Sequence, residues 1–274
     1  MEKDYVQAQN ASYSNQGKIF TIPANKLGEI VITPLGFQPL GIASLGNRIA
    51  ITAYFEPAIC LAEITRDNTE VHFTLEWIRG VKHREKSVRL FPNFLKRGEA
   101  NRAQTVNFEA ENNLWISRNG DNKLFNIVKD GAEWKLTGKT IKIPTDDMVQ
   151  SAHLREDTIS TIECSLDIKS WYLCVYTRHE QTKAKAIFRQ NVDPFIFGAT
   201  YHHGSRCYIT DFRSGEPHGI YRDSNLIIPE IYGNDLCFLP NGSILATRYG
   251  QASNGPFSGE PGALIYIPAA YVPK

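Results

Sequence analysis

Three kinds of side chain in this sequence could do chemistry: the amide–carboxylate pair Asn234-Asp235, the histidines His153, His202 and His203, and the glutamines Gln38, Gln104 and Gln150. A histidine takes or gives a proton near neutral pH and also binds transition metals, and a carboxylate such as Asp235 can serve as a general base. Amides both donate and accept hydrogen bonds, so a group of them suits a neutral polar ligand; the plainer use is to tie neighbouring backbone. Tyr232 and Arg248, either side of the Asn-Asp pair, could grip a ligand by stacking and charge-assisted hydrogen bonds. Adjacent residues on a strand point to opposite faces, so His202 and His203 cannot both serve one site. Further acids, Asp146, Asp147, Asp193 and Glu230, precede apolar runs, and Asp193-Pro194 reads as the opening of a strand after a turn. The candidate catalytic set is therefore Asp235, His153 and His202. The candidate substrate-binding set is Asn234, Gln38, Gln104, Gln150, Tyr232 and Arg248.

For such scattered residues to meet, the chain must bring repeated elements around one point. Five segments have two short apolar runs around a turn of Gly, Asn, Asp or Ser: GIASLGNRIAIT from Gly41, VNFEAENNLWIS from Val106, SAHLREDTISTI from Ser151, ATYHHGSRCYIT from Ala199 and LCFLPNGSILAT from Leu236. Each reads as a β-hairpin. Further strand-like runs follow most of them: Ala58 to Ile64 and Val71 to Trp77, Lys123 to Val128 and Trp134 to Ile143, Trp171 to Tyr176 and Ala184 to Phe188. Four short antiparallel strands recurring at roughly 40 to 50 residues are the signature of propeller blades. No window carries a capped 3.6-residue apolar period, which excludes an α/β reading. The expectation is an all-β, single-domain β-propeller over residues 1–274 with about five blades. A sixth is open if the stretch 78–102 hides a degenerate one. The runs Lys18 to Ile22 and Glu29 to Thr33 are expected to join the C-terminal blade and close the ring. The first strand of each blade lines the axis, so Gln38 or Pro39, Gln104, Val149 or Gln150, Phe197 and Asn234 should converge near one mouth.

Composition narrows the partners. Lysine plus arginine number 30 and aspartate plus glutamate 29, a formal charge of +1, so there is no electrostatic case for nucleic acid or an anionic membrane surface. No apolar run approaches the ~20 residues of a membrane span. The N-terminus is polar and acidic early, unlike a secretory leader. A cytoplasmic location is expected, with a trimmed signal peptide as the alternative. The five cysteines stand singly in apolar runs without CxxC spacing, and so read as buried thiols rather than metal ligands. The basic stretch 78–102 is a solvated loop or a patch for an anionic partner, and QASNGPFSGEPG (251–262) is a rim loop that lacks a phosphate-cradle ending.

Gly233-Asn234-Asp235-Leu236, then Pro240-Asn241-Gly242, Tyr249-Gly250 and Gly262-Ala263-Leu264-Ile265-Tyr266, resembles a blade of the calcium-dependent propellers, the family of gluconolactonases, senescence marker protein and diisopropylfluorophosphatase. The resemblance covers this one blade. It implies that Asn234 faces the central site as a metal ligand or substrate contact, with calcium as the cofactor. The carboxylates that complete the family's calcium site have no counterpart here, and an all-amide ring holds calcium poorly. The leading functional expectation is a hydrolase, lactonase-like, or an isomerase or cyclase acting on a small organic molecule in the axial funnel. The alternative is a non-catalytic binding module, a lectin or protein-interaction scaffold. Substrate, reaction and oligomeric state stay open at this level.

Overall fold

The computed structural model describes residues 19–35, 37–53, 58–66, 70–78, 80–83, 86–89, 103–118, 122–178, 185–192, 196–211, 213–214, 217–250 and 262–273. The rim segment 251–261, Asp193, and much of the basic stretch (Arg84, Lys96, Arg97 and Arg102) lie outside them. Two N-terminal strands, β1 (Ile19–Pro23) and β2 (Val31–Pro34), are followed by five groups of strands. The first is β3 (Pro39–Leu45), β4 (Arg48–Ala53), β5 (Ile59–Arg66) and β6 (Glu70–Ile78). A short hairpin, β7 (Gly80–His83) and β8 (Lys86–Arg89), precedes the second, β9 (Ala103–Ala110), β10 (Asn113–Arg118), β11 (Lys123–Asp130) and β12 (Glu133–Lys142). The third is β13 (Met148–Leu154), β14 (Thr158–Cys164), β15 (Trp171–Thr177) and β16 (Ala186–Val192). The fourth is β17 (Ala199–His202), β18 (Ser205–Ile209), β19 (Gly219–Arg222) and β20 (Asn225–Pro229), and the last is β21 (Asp235–Phe238), β22 (Ile244–Arg248) and β23 (Ala263–Ile267).

Each group is an antiparallel meander with its first strand innermost. The innermost strands adjoin in a circle, β3 to β9 to β13 to β17 to β21 and back to β3. That is a five-bladed β-propeller. β2 completes the last blade by pairing with β23, Val31 opposite Tyr266, as the sequence suggests. β1 does something else. It lies against β6, Ile19 opposite Thr74, and gives the first blade a fifth, outer strand. Among the described residues the stretch after Trp77 adds no sixth blade: β7 runs parallel to β12, so the hairpin widens the second blade at its outer edge. A blade needs an innermost strand at the axis, and this hairpin has none there. Among the described residues no helix is long and apolar enough to cross a membrane.

The apolar residues collect into five clusters that fill the wedges between blades. Ile42, Phe73, Leu245 and Tyr266 sit between the first and last blades, Ile59, Leu61, Leu114 and Ile116 between the first and second, and Trp115, Ile141 and Ile159 between the second and third. Trp171, Leu173 and Tyr208 fill the third–fourth wedge, and Ile209, Leu236 and Ile265 the fourth–fifth. Each fully buried aliphatic side chain contributes about 1.5–3 kcal/mol, so the ring is held by its wedges and not by one central core. All five cysteines are buried free thiols within them.

Candidate functional site

Polar ties hold the inner strands in register, and they absorb most of the amides. Asn107 on β9 clamps β13 twice: its Nδ2 donates to the Ala152 carbonyl at 2.7 Å, and its Oδ1 accepts from the Leu154 amide at 3.0 Å. Ser44 Oγ on β3 donates to the Phe238 carbonyl of β21 at 2.7 Å. Gln104 Nε2 donates to Gln150 Oε1 at 3.1 Å, joining the second blade to the third, while Gln150 Nε2 reaches Cys164 Sγ. Gln38 Oε1 accepts from the Gly250 amide at 2.6 Å. Asn234 Oδ1 accepts from the Tyr249 amide at 2.6 Å, and its Nδ2 lies 3.3 Å from Asp211 Oδ2. The amides thus take the plainer of their two uses. β-Bulges at the starts of β3, β9 and β13 re-aim these positions by one residue. Gln104 Oε1 is left buried without a partner.

The same ties decide the calcium question. Asn234 has given its oxygen to a backbone amide, and the carboxylate beside it, Asp211, is engaged by Arg213 Nε at 2.7 Å and by Asn234 itself. Calcium needs several converging oxygens, and among the described residues no group of three acidic, histidine or cysteine side chains could hold a metal. The residues present do not fit the ion. Tyr232 and Arg248 grip one another instead of an open space: Arg248 NH1 lies 3.4 Å from Tyr232 Oη, with the guanidinium 5.3 Å from the ring centroid.

Two of the three candidate catalytic residues do meet. His153, late on β13, and Asp235, first on β21, come from blades on opposite sides of the fourth, yet Nε2 lies 3.3 Å from Asp235 Oδ1. Both side chains are buried. Asp235 is anchored: Oδ2 accepts from the Ile42 amide of β3 at 3.0 Å, and Oδ1 from the Leu236 amide at 2.9 Å. Its position depends on Gly198, where an added Cβ would fall 2.1 Å from Oδ1. His153 Nε2 makes no in-line hydrogen bond, so this is a close approach held by the ring and not a completed bond. His153 also lines a cavity of about 370 Å³ to which all five inner strands contribute, with Asn107, Tyr201, Cys237 and Phe238 from the strands and Arg155 from just after β13. His153 thus stands between the Asp235 carboxylate and the cavity wall it helps to form. Burial pushes the Cys237 thiol on the wall up to about 12, which favours the protonated, less nucleophilic form.

His202 is placed elsewhere. Its ring stacks on Phe238 (3.8 Å between centroids, 2° between planes) and leans on His203, lining a second cavity of about 470 Å³ with Arg222 and Ser205. His203 and Gly204 both take positive φ, the pair of left-handed residues that a two-residue hairpin turn requires, and this turn carries His202 away from Asp235. Burial holds the His202 imidazole below its ordinary pKa, helped by His203 and Arg222.

No protein-family model matches the chain, and no curated protein matches it in sequence. Among solved structures it is similar to a luciferin-regenerating enzyme at 9% identity, covering 88% of this chain and 95% of that one, with a TM-score of 0.42. It is also similar to the PQQ-bound aldose sugar dehydrogenase from Streptomyces coelicolor at 8% identity, covering 88% and 98%, again with a TM-score of 0.42. Likeness at this level carries no argument about chemistry, and the fold rests on the strand order itself.

Sequence reasoning names His153 and Asp235 but misses Asn107, Arg155, Tyr201, Asp211 and Gly198. Asn107 had a signal, a lone amide inside an apolar run. Gly198 had none, since its role comes from a carboxylate 37 positions downstream whose approach only the closed ring creates.

Proposed function

We propose that the protein is an enzyme acting on a small organic molecule bound in the axial cavity, with His153 as the residue that moves the proton. The observation that carries this is a buried imidazole whose Nε2 lies 3.3 Å from a fixed carboxylate, in the wall of a space that every blade helps to line. A carboxylate beside a histidine fixes its ring and stabilises the imidazolium that forms when it accepts a proton. Asp235, already accepting two backbone N–H bonds, suits that positioning role better than direct proton abstraction. The reaction class is general acid–base chemistry: activation of water on a lactone or ester, or removal of a proton next to a carbonyl. His153→Gln should keep the thermal midpoint within a few degrees and lower turnover of a hydrolysed lactone or ester by at least about a hundredfold, the typical contribution of a positioned acid–base group. Unchanged turnover in that variant would overturn the assignment. Binding of small carbonyl compounds in the cavity with no conversion of any of them would instead favour the binding-module reading.

A further inference from the structure

We propose that the ligand of the axial cavity carries an oxyanion, a carboxylate or a phosphate, which Arg155 holds at the rim while the reacting part of the molecule lies against His153. This deepens the axial reading and rests on it. Arg155 follows directly after β13 and lines the cavity beside His153 and Tyr201. Its guanidinium carbon lies 4.3 Å from the centroid of the Tyr201 ring, reached across from the fourth blade. Among the described residues no carboxylate lies within ion-pair distance of it, although acids are near in the chain: Glu156 and Asp157 share its turn. The neighbouring acid Glu109 is already paired with Arg178, whose NH1 in turn donates to the Arg155 carbonyl at 3.3 Å.

A guanidinium stacked on an aromatic ring spends its face and keeps its edge. The planar fork of N–H donors then stays free, held in orientation, and matches two oxygens of a carboxylate or phosphate at once. His153 stands two residues earlier in the chain, near the end of β13, and lines the same cavity. Phe108, Phe238 and Leu154 supply the apolar wall between mouth and floor. The cavity therefore selects a small molecule with an anionic head at one end and a proton-transfer centre at the other.

The test uses the intact protein and three probes: levulinate, its neutral amide and inorganic phosphate, followed through the His153 imidazole resonances by NMR. Levulinate should shift those resonances and bind about tenfold or more tightly than the amide, the lower end expected for charge-assisted hydrogen bonds at a half-open site. Arg155→Gln should erase that difference and Arg155→Lys should retain part of it. Phosphate should displace levulinate if any oxyanion fills the Arg155 end; failure to displace it would narrow the class to carboxylates. Equal affinity for acid and amide in the wild type would refute the inference and leave the axial site standing. If neither acid nor amide perturbs His153, the axial site falls and this inference with it.

Discussion

Gly198→Ala puts the central geometry at risk with one methyl group. A Cβ at this position would lie 2.1 Å from Asp235 Oδ1, 2.5 Å from Cγ and 2.9 Å from Cβ. Ordinary contact begins near 3.4 Å, so the carboxylate must retreat by more than an ångström or β17 must move off the axis. Retreat breaks the bond from the Ile42 amide, the tie between the first and last blades at this level, and opens the approach to His153. Overpacking costs about 1–3 kcal/mol and loss of a hydrogen bond to a buried carboxylate about 1.5–3 kcal/mol, which together give about 2.5–6 kcal/mol. Urea unfolding at neutral pH measures it, read as a change in midpoint at constant slope. The control is a double-mutant cycle. On an Asp235→Gly background neither the carboxylate nor its Cβ is there to strike, so Gly198→Ala should cost less than about 1 kcal/mol and the cycle should be strongly non-additive. A single-variant cost below about 1 kcal/mol, or additive costs in the cycle, would show that the carboxylate is not where this reasoning needs it.

Asn107→Ala removes both arms of the clamp between the second and third blades and orphans the Ala152 carbonyl and the Leu154 amide. The expected loss is about 2–4 kcal/mol by denaturant unfolding, and a loss within experimental error would contradict the clamp. The His202 imidazole is held below its ordinary value of 6.5 by burial and then by nearby cations, so as pH falls the unfolded chain takes up its proton first. Its contribution is intact above that ordinary value and declines as pH drops through it toward the lower folded value. Replacing His202 by Asn should therefore flatten the loss of stability as pH falls below the ordinary value of 6.5, and an unchanged slope would count against the half-buried placement on Phe238.

Local alternation and turn chemistry made the hairpins legible: Pro240-Asn241-Gly242 and His203-Gly204 both mark reversals that the structure contains. Edge pairing was less so. Nothing within Ile19–Pro23 says whether it should lie beside β6 or β23, because an outer strand is chosen by which edge is open when the ring forms. β19 and β20 escaped notice because their apolar runs are short and interrupted by the Asp223-Ser224 turn. At the site, residue type singled out His153 and Asp235, but their meeting is a property of ring size. A different blade count would place their strands at other angles about the axis. The amides show the converse, since their type suggested ligand contacts while in the ring Gln104 bonds Gln150, and Gln38 and Asn234 accept from backbone amides.

The pairing of β2 with β23 has a bearing on how the chain is made. Val31 of β2 pairs with Tyr266 of β23, 235 residues later, so during synthesis from the N-terminus an open strand edge must wait for its mate. At ribosomal speeds of roughly 5–20 residues per second that interval is on the order of ten to forty seconds. Through it the exposed flank of the first blade stands ready to recruit a neighbouring nascent chain, and a cell that lengthens the wait, by slow codons or chilling, trades closed rings for tangled ones.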